Sequence, residues 1–186
     1  MSSLSNFQKL KELGKGSFST VYKVCRKSDN KEYAMKVVKI TQLSEKERQN
    51  ALNEIRILAS IVDPNIIAYK EAFFDESIRC LCIIMEYADA GDLMMKINSK
   101  RAQKAYFSES QLWKFLIQMT KGLKTLHNLK ILHRDLKCAN IFQTNDGVVK
   151  LGDLNVSKIT QKGLAITQAG TPYYCAPEVW KGIKFR

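Results

Sequence analysis

The amino-acid sequence predicts an α+β fold in two lobes, an N-terminal five-stranded antiparallel sheet with one helix followed by a mainly helical lobe. Three observations predict it. Up to Glu86, one helical stretch apart, the apolar residues alternate or run in short, strand-length stretches; beyond Ser108 they recur at helical spacing; and Ala90-Gly91-Asp92 falls between the two regimes and fits neither.

In chain order, Phe7 to Leu13, Val21 to Cys25 and Tyr33 to Val38 read as three strands, the last two separated by the turn residues Ser28-Asp29-Asn30. Ser44 and Glu47 have capping-box spacing, and Ala51, Leu52, Ile55, Leu58 and Ala59 then mark one face of a helix from about Glu45 to Ser60. Asp63-Pro64-Asn65 ends it. Two further strands, near Ile66 to Phe74 and Cys80 to Glu86, flank the polar Asp75-Glu76-Ser77. In the second lobe, Ser108 and Gln111 form another capping box, and Leu112, Phe115, Leu116, Met119, Leu123 and Leu126 predict the buried face of a long helix. Ile141 to Gln143 and Val148 to Leu151 flank Thr144-Asn145-Asp146-Gly147, whose Asp-Gly step favours a hairpin turn. From Asp153 onward no periodic segment stands out.

With 186 residues, 45% of them apolar and 26% charged, the chain can bury a sizeable core. Its five cysteines lack framework spacing and no leader-like segment opens the sequence, so a reducing setting, cytosolic or nuclear, is expected, with the cytoplasm the first choice. Cys80 and Cys82 lie one residue apart in an apolar strand and read as core rather than as zinc ligands. No apolar run approaches the roughly 20 residues that cross a bilayer, so no membrane partner is expected. The net charge of +12 is scattered, with no basic helix and no aromatic-interleaved stripe, and reads as solvated surface rather than a nucleic-acid interface.

Four segments carry chemistry. Gly14-Lys15-Gly16-Ser17-Phe18-Ser19 joins the first two strands; its glycines either make a plain turn or let the backbone approach phosphate oxygens. Lys36 sits in an apolar strand, where its ammonium group either snorkels to solvent or pairs with an acid, Glu54 on the first helix being the natural partner. His133-Arg134-Asp135-Leu136-Lys137-Cys138-Ala139-Asn140 is the most specific string: Asp135 can accept a hydroxyl proton, Lys137 can neutralise a transferring phosphoryl group, and Asn140 can offer an oxygen to magnesium. His133 reads as a packed histidine rather than a base. Asp153, just past the hairpin, can be a second oxygen ligand for that hard cation, although Asp153-Leu154-Asn155 taken alone is an ordinary string.

Taken in this order, the strings from Phe7 to the end resemble the eukaryotic protein kinase family, of the serine/threonine class. The resemblance implies an N-lobe over residues 7–87 and a C-lobe over residues 88–186. It implies ATP and Mg2+ as cofactors and transfer of the γ-phosphoryl group to a protein serine or threonine. Leu13 to Phe18 would cover the nucleotide; Lys36 and Glu54 would anchor its phosphates; and Val21, Ala34 and Phe142 would enclose the adenine. Met85 would be the gatekeeper and Glu86 to Ala88 the hinge. Asp135 would be the catalytic base, Asn140 and Asp153 the metal ligands, and Leu58, Tyr69, His133 and Leu154 a stacked spine. Met85 to Leu93, Lys130 to Asp135 and Gly170 to Tyr174 are most similar to the NIMA-related kinases, a group tied to mitosis and cilia, which adds a cytoskeletal or ciliary expectation to the cytoplasmic one. Arg134 beside Asp135 resembles kinases switched on by phosphorylation of the activation loop, with Thr167 the expected site, modified by an activating kinase or by autophosphorylation.

The sequence departs from the family pattern at Ser19, in place of a third loop glycine, and at Leu154 and Asn155, in place of phenylalanine and glycine after the metal-binding aspartate. The helices that in this family follow the Ala176-Pro177-Glu178 segment are not found before Arg186, so a C-terminally truncated domain is expected. The competing expectation is a nucleotide-binding but catalytically silent scaffold.

Overall fold

The computed structural model describes residues 3–16, 19–40, 45–154, 172–174 and 176–177. The chain divides into two compact units, one of residues 1–62 and 67–87, the other of residues 63–66 and 88–186.

The first unit is a five-stranded sheet in the order β1-β2-β3-β5-β4, formed by β1 (Phe7–Lys15), β2 (Ser19–Arg26), β3 (Lys31–Lys39), β4 (Tyr69–Asp75) and β5 (Cys80–Glu86), with every pairing antiparallel. At the β2–β3 turn Asn30 takes a φ of 52°, and the Asp29 carboxylate accepts the Lys31 N–H at 3.1 Å and the Tyr33 hydroxyl at 2.8 Å. The two-residue side-chain period then sorts the sheet into two faces. Val24, Tyr33, Met35, Cys82 and Ile84 gather on one, where Phe7 stacks on Phe73 with ring centroids 6.1 Å apart. Val21, Lys36 and Ile83 are in register across the other, beside Ala34 and Met85. Register shifts between Lys9 and Lys11 and between Glu12 and Gly14 interrupt β1, the outermost strand. β5 is buried from Cys80 to Met85, as a strand between two neighbours should be. Cys80 and Cys82 belong to this apolar core.

The helix α1 (Glu45–Ala59) packs along β4 and buries Ala51, Ile55 and Leu58. Ser44, the expected cap, lies outside the described residues. β4 begins at Tyr69 rather than near Ile66, because the preceding residues are committed elsewhere. Asp63 accepts the Asn65 N–H at 2.7 Å, while Ile66 makes an isolated parallel bridge to Leu151 in the second unit.

The second unit contains α2 (Leu93–Ala102), α3 (Glu109–Asn128), β6 (Ile141–Gln143) and β7 (Val149–Leu151). The capping box at α3 is formed: Gln111 N–H donates to Ser108 Oγ at 3.3 Å, and Ser108 N–H donates to Gln111 Oε1 at 3.0 Å. β6 and β7 form the expected hairpin, with Gly147 at a φ of 84°. α3 packs on β7 through Gln118 and Gly122; Asn65 is locked beside them, its Nδ2 donating to Gln118 Oε1 at 3.1 Å and to Val149 O at 2.9 Å.

Leu112 and Leu116 correct the expected buried stripe: both are half exposed, since they project to the side of the line that meets the short strand. α2 was not expected. Its start is set by Asp92, which accepts the Met95 N–H at 2.8 Å, but only Leu93 along it is buried, so it carries almost no apolar period. No helix among the described residues is long and apolar enough to cross a membrane.

Candidate active site

In the first unit, Gly14 pairs with Val21 and Lys15 with Thr20, and Gly16 N–H closes the turn on Ser19 O at 2.8 Å. A methyl group built at Gly14 would meet nothing within 4 Å, and one at Gly16 would make only ordinary contacts. Packing among the described residues therefore does not require these glycines. Ser17 and Phe18 lie outside the described residues. Leu13 is exposed, and Val21, Ala34 and Lys36 are half-buried. Glu54 falls within α1, but its side chain lies outside the described residues, so the Lys36–Glu54 pair is not among the contacts seen.

Met85 is buried opposite Ala34 and Tyr69. Glu86 makes a reciprocal pair with Ala68: its N–H donates to Ala68 O at 2.8 Å and its carboxylate accepts the Ala68 N–H at 3.2 Å. The Glu86 N–H is thus used within the first unit. Nothing in the sequence signalled Ala68, since it acts through its backbone alone.

In the second unit, the catalytic string forms a tight loop. Arg134 is exposed at a φ of 67°, and a single 3-10 turn over Cys138–Asn140 is closed by Asn140 N–H to Lys137 O at 2.9 Å. Lys137 Nζ lies 2.8 Å from Asp135 Oδ2. The buried Asn140 donates from Nδ2 to the Asp135 carboxylate and carbonyl. Gly152 N–H donates to Asn140 O at 3.0 Å, tying this loop to the residue before Asp153. That tie had no sequence signal beyond the glycine itself.

Asp153 is half-buried and takes a left-handed φ of 55°. Asn155 lies outside the described residues, as do Thr167 and Glu178. Phe142 is half-buried on β6 and bridges to Asp92. His133 and Leu154 are buried in the second unit, and Leu58 and Tyr69 in the first. Burial pushes the His133 imidazole below its ordinary value, which keeps it neutral and suits a packed side chain.

A half-buried carboxylate held beside an ammonium group, with an asparagine locked against it and a second carboxylate beyond a short hairpin, is the arrangement expected of a phosphoryl-transfer domain. The chain belongs to the protein kinase domain family, whose model matches residues 7–185. It is 39% identical to the mouse serine/threonine-protein kinase Nek1 over 95% of this chain and 14% of that protein. It is likewise 39% identical to the probable serine/threonine-protein kinase nek3 of Dictyostelium discoideum, over 97% of this chain and 16% of that protein. To mouse serine/threonine-protein kinase Nek3 it is 36% identical, over 98% of this chain and 35% of that protein. The chain thus spans well under half the length of these relatives. The likeness to NIMA-related kinases read from Met85 to Leu93 agrees with these names.

Proposed function

We propose that this chain transfers the γ-phosphoryl group of ATP, with Mg2+, to serine or threonine hydroxyls of protein substrates. The observation that carries the reading is the Asp135–Lys137–Asn140 arrangement. Asp135 orients the substrate hydroxyl and accepts its proton. Lys137, held at 2.8 Å, neutralises charge that develops on the transferring oxygens.

The residues present fit the metal. Because Asn140 Nδ2 is committed to Asp135, its Oδ1 is the atom left to ligate, and with the Asp153 carboxylate it makes an all-oxygen donor set of the kind Mg2+ takes. Asn140 and Asp153 would hold the ion, which would supply positive charge to offset that of the phosphates. The open backbone at Gly14 and Gly16 suits the phosphates, and Lys36 is the side chain of the first unit for holding them.

The test is transfer of labelled γ-phosphate from magnesium-ATP to casein, with Asp135→Asn as control. The expected result is activity that falls by about a hundredfold or more in the variant, with nucleotide binding kept. Equal activity in both would overturn the assignment of Asp135, and binding without transfer in either would favour the scaffold. Phosphorylation at Thr167, docking beside Arg134, is part of the same proposal; full activity with Thr167 unmodified, read by mass spectrometry, would remove it. Cytoplasmic residence, cytoskeletal or ciliary, is also proposed, and a tagged chain confined to the nucleus would exclude it.

A further inference from the structure

In the second unit one polar pair, outside the residues assigned above, ties the linker at residues 88–92 to the β6–β7 hairpin. Asp89 Oδ1 accepts the Asn145 backbone N–H at 2.7 Å, and Asp89 Oδ2 accepts the Asn145 side-chain amide at 2.8 Å. Asn145 lies in the hairpin turn between Thr144 and Gly147. Two parallel bonds from one carboxylate fix direction as well as distance, and both are assisted by the charge of the aspartate.

The same two segments are laddered further along. Ala90 N–H donates to Gln143 O at 3.0 Å, Gln143 N–H donates to Gly91 O at 2.9 Å, and Asp92 bridges to Phe142. The pairs run in antiparallel order, from Asp89 with Asn145 to Asp92 with Phe142, and the clamp closes the end at the hairpin tip. Both clamp residues are exposed, so their bonds compete with water and add little to the stability of the whole fold. Their effect is local. They keep a hairpin with three-residue strands from rocking against the linker.

Ala88 stands just before this ladder and Phe142 on it. These are the two adenine contacts that the kinase reading assigns to the second unit. We propose that Asp89 and Asn145 are positioning residues for the nucleotide: their clamp sets the spacing between the Ala88 peptide and the Phe142 ring before ATP arrives. The inference rests on the kinase reading. Preorganised contacts bind more tightly because the cost of ordering them is met in the folded protein rather than at binding. The clamp shares no hydrogen bond with the Asp135 loop, so its loss should act on affinity and not on the chemical step.

The experiment measures magnesium-ATP binding by calorimetry, together with KM for ATP and kcat, on the full chain and three variants. Asn145→Ala and Asn145→Asp, the second setting two carboxylates face to face, should raise Kd and KM by about five- to tenfold with kcat unchanged. The exchange Asp89→Asn with Asn145→Asp keeps the backbone bond, now accepted by the new amide oxygen, and restores the side-chain bond with donor and acceptor reversed, and should return Kd to the parent value. An unchanged Kd in the single variants, with the parent binding normally, overturns the clamp and leaves the kinase reading intact. So does a drop in binding stoichiometry or kcat without a change in Kd, which is the mark of a merely structural pair. A parent chain that binds no magnesium-ATP overturns the nucleotide reading and the clamp with it.

Discussion

The side-chain amide of Asn140 reaches the Asp135 carboxylate at 3.0 Å and the Asp135 carbonyl at 2.8 Å, so one residue orients both the base and the backbone that carries it. Replacing Asn140 by alanine removes a proposed metal ligand and both restraints on Asp135. The expected result is a fall in kcat of about tenfold or more, with a higher magnesium concentration needed for half-maximal rate. Phosphoryl transfer followed across a magnesium titration measures both. A rate that falls with no shift in the magnesium requirement would confine Asn140 to orienting Asp135.

Gly122 tests the packing of α3. A Cβ there would lie 2.7 Å from the Asn65 carbonyl oxygen, which accepts the Leu151 N–H at 2.8 Å, and 3.0 Å from Leu151 Cδ1. Alanine is the better helix former by about 1 kcal/mol, but forcing a methyl group into backbone costs about 1–3 kcal/mol. The clash should win, because a carbonyl tied into a strand cannot swing aside as a side-chain tip can. Gly122→Ala is expected to lower stability by about 1–2 kcal/mol in denaturant unfolding; a stabilised variant would mean that α3 shifts freely against β7.

His133 makes stability depend on pH in a definite direction. Burial holds its folded pKa below the ordinary value, while in the unfolded chain it titrates near about 6.5. Its neutral form is therefore favoured by folding. The contribution is fully present above the unfolded value and declines as pH falls from there toward the depressed folded one, because only the unfolded chain takes up the proton. Denaturation midpoints measured from neutral to mildly acid pH should fall, and should fall less steeply in His133→Phe. Parallel slopes in the two proteins would place the titration elsewhere.

The cysteines should separate by reactivity. Burial pushes the Cys82 thiol up to about 12 and raises that of Cys80, whereas Cys25 and Cys138 are only half-buried. Alkylation of the native protein at mildly alkaline pH, read by peptide mass spectrometry, should label Cys25 and Cys138 well before Cys80 and Cys82. Early labelling of Cys82 would show that the sheet opens.

Much of the first unit was legible because a sheet with one buried face writes itself as alternation, and β5, covered on both sides, as an unbroken apolar run from Cys80 to Met85. The caps of α3 were legible because Ser108 and Gln111 act within one turn. What escaped has a different physical character. α2 buries only Leu93 and leaves Met95 exposed, so it has no apolar period to read. Asn65, Gln118 and Val149 meet across long stretches of chain, and only a polar residue on the buried side of α3 hinted at them. In the candidate site the residue types of the Asp135 loop were legible and their hydrogen bonds were not: which group Asn140 serves depends on how a single 3-10 turn closes.

The two slips in the pairing of β1 with β2 bear on how this protein behaves at high concentration. β1 is an open border of the sheet, and a long, regular border is a template on which a second polypeptide can add itself as a sixth strand. A strand kinked at Lys9–Lys11 and again at Glu12–Gly14 offers an incoming chain no even row of donors and acceptors, and Lys9, Lys11 and Lys15 set like charges along it. The irregularity that brings Gly14 to its place opposite Val21 also makes β1 a poor template for edge-to-edge pairing.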